Sequence, residues 1–221
     1  MKISPVMREY LGEIYRLEHS PDGAGVATSV LAERLEVSPS AVVRMLRRLD
    51  EAGMLTHVPY QDVNLTPQGE REAIRSIRRH RLLEVFLVKV MGFGWDEVHE
   101  QAHGLDLVIT DEFEDRMDAV SGYPTHCPHG DPIPTKDGRI AEVNDQPLLE
   151  APVGGSGVIR RVKTDDGEKL RYLAELGLVP GTPIRVLHRA RFNGPLRLQA
   201  GKQEHVIGTE LAQVMRVELT S

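Results

Sequence analysis

The sequence predicts a mainly α-helical chain with added β structure: an N-terminal winged helix-turn-helix, a helical middle and a C-terminal small β-barrel of the SH3-like sort. Three observations carry this. The first third alternates amphipathic helical stretches with turn residues and ends in two short alternating runs. The middle third places apolar residues around most of a helix's girth. The last third splits into short apolar runs separated by Gly, with one helical insert. The changes of character put the domain limits at 1–78, 79–150 and 151–221.

Residues 4–17 form the first helical pattern, with Met7, Leu11, Ile14, Tyr15 and Leu17 as its apolar set and Pro5 suited to the first turn. SPDGAG ends it. Thr28 or Ser29 can cap a short helix whose Val30, Leu31 and Leu35 face inward. Ser38 opens the next helix with Pro39 at its first position and Gly53 near its end. Val42, Met45, Leu46 and Leu49 supply its core. Leu55–Val58 and Val63–Leu65 read as a short hairpin, and Thr66-Pro67-Gln68-Gly69 introduces an Arg-rich helix. Two further helices are expected, 82–91 and about 95–120, parted by GFG. The first is apolar nearly all round, so a dimer interface is expected to cover it. Residues 121–150 are rich in proline and turn residues and read as a linker or an extended connection. After 151 come VIRRV, a helical insert, PIRVLHRA, LRLQA, HVIG and MRVEL.

Of 221 residues, 40% are hydrophobic and 27% charged, the composition of an ordinary globular protein. No apolar run is long enough to cross a bilayer, MKISPVMREY lacks the apolar core of a signal peptide, and the lone Cys127 excludes an intramolecular disulfide framework. A cytoplasmic protein with no membrane partner is expected. The net charge of −6 hides a partition. Residues 38–48 hold Arg44, Arg47 and Arg48 and no acid, whereas residues 84–118 hold ten acids against two bases. Local basic patches, not net charge, govern contact with phosphates, so duplex DNA is expected at one end and cations in the middle. On the second helix of the helix-turn-helix, Ser38, Ser40 and Ala41 let the backbone approach a groove. Arg44 can reach base edges, and Arg47 and Arg48 can reach phosphates.

His80, Glu84, His99, His103 and Asp106 recur at steps of three and four, which on helices gathers them into stripes. Imidazoles and carboxylates without thiolate suit Mn2+ or Fe2+; Zn2+, Co2+ or Cd2+ can substitute in vitro. A solvated polar face is the plain alternative, set aside because two stripes accompany a DNA-binding unit. HCPHG suggests zinc, but no second ligand pair stands at a partner spacing. A regulator sensing an organic ligand and a metalloenzyme are the rival functions. The absence of HExxH or a comparable acid–base constellation argues against the enzyme.

The segments RHRLLEVFLVKVMGFGWDEVHEQAH, HCPHGDPIP and LRYLAELGLVPGTPIRV, in this order behind a winged helix, resemble the diphtheria toxin repressor family, including its manganese-responsive branch. The last segment is similar to the small domain of ferrous-iron transport systems. The resemblance implies a dimeric, metal-activated regulator, usually a repressor, that binds an inverted-repeat operator near metal-uptake genes and has no catalytic activity. It implies an ancillary metal site at His80, Glu84 and His99, with an acid from Asp165, Asp166 or Glu168, Asp166 being favoured. It implies a primary site at Glu9, His103 and Asp106. The family's next ligand falls on Leu107 and a first-helix carboxylate on Gly12, leaving Glu100, Glu13 or water to complete the primary site. Thr28, Ser29, Ser38, Pro39, Ser40, Ala41, Arg44, Arg47 and Arg48 are the implied DNA-facing residues.

Overall fold

The computed structural model of the chain describes residues 3–19, 26–56 and 63–220. In order, its helices and strands are α1 (Pro5–Glu18), α2 (Thr28–Arg34), α3 (Pro39–Glu51), β1 (Leu55–Thr56), β2 (Asn64–Leu65), α4 (Pro67–Lys89), α5 (Val98–Ala102), α6 (Asp111–Val120), β3 (Gln146–Pro147), β4 (Ser156–Val162), α7 (Gly167–Glu175), β5 (Pro183–Arg189), β6 (Leu196–Ala200), β7 (Gln203–Ile207), α8 (Thr209–Val214) and β8 (Met215–Leu219). Single 3-10 turns stand at Asp106–Val108 and Leu148–Glu150. Two compact units result: Met1–His80 with His103–Asp115 and Pro134–Ile140, and Arg81–Ala102 with Arg116–Ile133 and Ala141–Ser221.

In the first unit, α1 starts where the sequence puts it: Ser4 caps it by accepting from the Met7 amide at 3.3 Å, and Pro5 stands in the first turn. Met7, Leu11, Ile14 and Leu17 are buried with Leu31, Val42, Leu46, Leu49 and Leu55, so one core holds α1, α2, α3 and β1 together. Ser38 likewise caps α3, accepting from the Ala41 amide at 3.3 Å. The expected cap on α2 is corrected: Ala27 holds the N-cap position and no side chain bonds there. The hairpin pairs Leu55 with Leu65 and Thr56 with Asn64; its tip, residues 57–62, lies outside the described residues, and with it the expected extension to Val58. A Glu18 oxygen accepts from the Leu65 amide at 2.8 Å and moors β2 to the end of α1.

Helix α4 is one helix of 23 residues where the sequence suggested two, because no residue near Leu82 interrupts the backbone ladder. Its start is pinned by Gly69, where a Cβ would stand 1.8 Å from the Met54 carbonyl oxygen. Further along, the buried Arg78 and Arg79 each donate through Nε to Glu114, at 2.8 and 2.9 Å. The single helix expected over 95–120 is broken instead. Gly104, at φ +81, adopts a left-handed conformation that ends α5, the 3-10 turn follows, and Thr110 caps α6 by accepting from the Phe113 amide at 3.2 Å.

The second unit is built on an antiparallel sheet in the order β3-β8-β4-β5-β6-β7. The strands match the SH3-like pattern, but the expected barrel does not close: β3 and β7 remain edges, and register shifts interrupt β4 at Ile159/Arg161 and β5 at Val186/His188. Alternating residues Ile159, Ile184, Val186, Leu196, Leu198 and Val217 face a core shared with Leu170 and Leu173 of α7. Helix α8 had no signal in the sequence strong enough to separate it from its flanking strands. The proline-rich stretch is ordered: the Cys127 amide donates to Asp131 O at 2.9 Å and His126 bridges Pro132. Gly130, at φ +91, lies so close to β4 that a Cβ would stand 1.9 Å from Arg160 O. The Asp145 carboxylate is wholly enclosed between Arg161, at 2.6 and 2.8 Å, and Arg216, at 2.9 Å.

Candidate metal centre

The break at Gly104 decides where the metal-type side chains go. His99, His103 and Asp106 do not share a helical stripe; each ends on a different element and meets a different partner. In the first unit, α1 presents Glu9, and His103 Nε2 stands 3.4 Å from its Oε1. From the 3-10 turn, Asp106 Oδ2 accepts from His80 Nδ1 at 2.9 Å, which orients the ring. Burial pushes the Glu9 carboxyl above the ordinary carboxylate range; His103 pulls it down, and Asp106 and Glu13 push it up again. Acids crowded around a half-buried carboxyl in this way favour a cation among them. Glu13 is turned to Arg16 and Arg34, at 2.5 and 3.3 Å. Gly12 is buried and brings no ligand, and the Leu107 side chain lies outside the described residues.

In the second unit the buried Glu84 is the hub. His99 Nδ1 lies 3.3 Å from its Oε1 and 3.6 Å from Asp165 Oδ1; His129 Nδ1 lies 3.7 Å from the same Glu84 oxygen. Glu84, Cys127 and His129 offer ligand atoms all within 4.8 Å of one another. His129 Nε2 donates to the Trp95 carbonyl at 2.8 Å, fixing the ring with Nδ1 turned to the cluster, the outer bond typical of metal-binding imidazoles. Burial opposes charge on His129, but Cys127 and Glu84 outweigh it and lift its pKa to about 10. Burial also raises the Cys127 thiol.

Cys127 and His129 are the residues that sequence reasoning missed. HCPHG lacks a second ligand pair in its own neighbourhood; its partner is a carboxylate on α4, and only the tight turn at Gly130 brings the two together. The favoured Asp166 and its neighbour Asp165 have different surroundings. Asp166 caps α7, accepting from the Glu168 and Lys169 amides at 3.0 and 3.2 Å, bonds that hold its carboxyl below the ordinary range, and Asp165 is the acid beside His99. Glu100 is exposed on α5 and belongs to neither group.

On α3, Ser38, Pro39, Ser40, Arg44, Arg47 and Arg48 are exposed and Ala41 is half-buried, while Val42, Leu46 and Leu49 anchor the opposite side. Ser29 is exposed and Thr28 half-buried at the start of α2.

Residues 2–63 match the N-terminal DNA-binding domain of iron-dependent repressors, 66–135 their metal-binding and dimerisation domain, and 146–219 the FeoA domain. The chain is 30% identical over 221 residues to the iron-dependent repressor IdeR of Mycobacterium leprae, covering 95% of each. It is 26% identical to the diphtheria toxin repressor of Corynebacterium diphtheriae, again over 95% of each. Among solved structures, a manganese-dependent transcriptional repressor in complex with manganese gives a TM-score of 0.90 at 36% identity, covering 97% of this chain and 100% of that one. ScaR with bound Cd2+ gives 0.79 at 32%, covering 96% and 98%. With identity sustained along nearly its whole length, this chain belongs to the iron-dependent repressor family of the diphtheria toxin repressor, whose members are metal-dependent transcriptional repressors.

Proposed function

We propose that the chain is a Mn2+-responsive repressor of metal-uptake genes, binding an inverted-repeat operator in the cytoplasm as a metal-activated homodimer, with no catalytic step. The observation that carries this is the meeting of Glu9 with His103 at 3.4 Å, on a helix that shares its core with the DNA-facing α3. Glu9, His103 and Asp106 would hold one divalent ion, which would supply a fixed positive charge between α1 and the 3-10 turn. Glu9 orients α1, Asp106 is held by His80, and α1 carries the helix-turn-helix with it. Metal then favours DNA because it favours the DNA-competent arrangement, a population shift. Arg44 reads base edges, with Arg47, Arg48, Thr28, Ser29, Ser38, Pro39, Ser40 and Ala41 positioning the helix on the duplex.

Glu84, His99 and Asp165, with Cys127 and His129, would hold a second ion. The oxygen and nitrogen donors around Glu9 suit Mn2+ or Fe2+, whereas the Cys127 thiol adds a soft donor that also welcomes Zn2+ or Cd2+. Fe2+ is the alternative effector, favoured by the 30% identity to an iron-dependent repressor. A dimer is supported by exposed apolar side chains in each unit: Leu105, Val108 and Phe113 in the first, and Val90, Met91, Val120 and Tyr123 in the second.

The test selects duplexes from a random pool with the Mn2+-loaded protein, then titrates Mn2+, Fe2+ and Zn2+ separately under anaerobic conditions. Mn2+ is expected to promote specific binding at the lowest free concentration. Specific binding unaffected by a chelator would refute the metal switch.

A further inference from the structure

Helix α1 has two polar attachments in the first unit. Near its start, Glu9 faces His103. At its last residue, Glu18 accepts from the Leu65 amide at 2.8 Å, across 47 residues of sequence. Leu65 lies on the wing's returning strand β2, paired to Leu55 of β1. A two-stranded hairpin is marginal in water on its own and depends on ties to the rest of its unit. The bond that Glu18 accepts ties α1 to that strand, beside the apolar packing of Val63 and Leu65 and the Thr66 amide's bond to Met54 O. Between the two acids α1 is unbroken, and its inner side is locked into the core through Leu11, Ile14 and Leu17. A helix so held moves as a rod.

We infer that Glu18 is the positioning residue through which metal bound at Glu9 is passed to the wing: α1 is the strut, and the bond from the Leu65 amide to Glu18 is its far joint. Glu18 touches neither metal nor DNA. Its effect is on how much metal improves DNA binding, a coupling between two sites that must be reciprocal. The inference rests on the metal-activated repressor reading given above.

Two substitutions separate this role from simple packing. Glu18→Met keeps the bulk and removes the acceptor; Glu18→Gln keeps an acceptor oxygen in place. Operator affinity is measured with and without saturating Mn2+, and Mn2+ affinity with and without operator. Glu18→Met should bind Mn2+ alone as the wild type does. The gain in operator affinity conferred by Mn2+ should fall about tenfold, the cost of leaving a half-buried amide unpaired. The gain in Mn2+ affinity conferred by operator should fall by the same factor, and Glu18→Gln should restore both. Equal gains in wild type and Glu18→Met overturn the inference, as does a loss in one direction only. Should Glu18→Met melt below the assay temperature, amide exchange at Leu65 in the wild type decides: Mn2+ must slow it, and unchanged exchange overturns the inference. A wild type whose operator binding ignores Mn2+ overturns the repressor reading instead.

Discussion

Loading the second unit's cluster should eject protons, and the number follows from the side chains. His129, lifted to about 10, is an imidazolium at pH 7.5, and the buried Cys127 remains a thiol. A divalent ion bound by both must displace a proton from each, because only the neutral imidazole and the thiolate bind metal. Every displaced proton makes apparent affinity rise tenfold per pH unit, so Zn2+ or Cd2+ should bind about a hundredfold more tightly for each unit between about pH 7 and 9. Isothermal titration in buffers of different ionisation enthalpy counts the protons directly, and about two are expected at pH 7.5. Cys127→Ser should remove one of them. The metal-free protein shows the converse. A folded-state pKa of about 10 against an ordinary 6.5 stabilises the fold fully below pH 6.5, and that contribution is lost as pH rises through 10. Its melting temperature should therefore decline over that window, and less so in Glu84→Gln. Release of no protons by an ion whose binding Cys127→Ser abolishes would refute the reasoning.

Glu9→Gln should fold and dimerise normally yet need far more Mn2+ to bind operator, read by fluorescence anisotropy. Pairing it with His103→Ala should add little, since groups sharing one ion are not independent. Arg44→Ala should cost about 1–3 kcal/mol of operator binding and relax discrimination at one base pair, whereas Arg47→Ala should weaken all duplexes and flatten the salt dependence. Asp145→Ala strands Arg161 and Arg216 around an enclosed site and should destabilise the fold by about 3–5 kcal/mol in chemical denaturation. Burial would raise the Asp145 carboxyl, but the two guanidiniums hold it below the usual 3.8, so its contribution is present above that pH and is lost as acid protonates it.

Local chemistry made much of the fold legible. Ser4-Pro5 and Ser38-Pro39 mark helix starts because cap and first turn are matters of a few adjacent residues, and the alternating pattern of β4 to β6 reports burial on one side of a sheet. That Glu9 and His103 come within 3.4 Å could not be read from spacing, since 94 residues part them. What escaped was what depends on distant backbone. Steps of three and four from His99 to Asp106 look like one helical face, yet a single left-handed residue, Gly104, sends three ligand-type side chains to three partners. Asp165 and Asp166 differ by one position, and only the geometry of the α7 cap shows which is already engaged. Cys127 and His129 needed the contact between Gly130 and β4 to bring them to Glu84.

Trp95 is the only tryptophan in the chain. Its carbonyl holds His129 and its ring centroid lies 5.6 Å from the His129 ring. An imidazolium that close quenches indole emission, so the protein carries its own optical gauge of one cluster. Deprotonation of His129 should brighten the emission, and a closed-shell ion such as Zn2+ or Cd2+ should do the same as it displaces that proton. Paramagnetic Mn2+ should dim it. Occupancy of this one cluster can thus be followed in unlabelled protein, from a single cuvette.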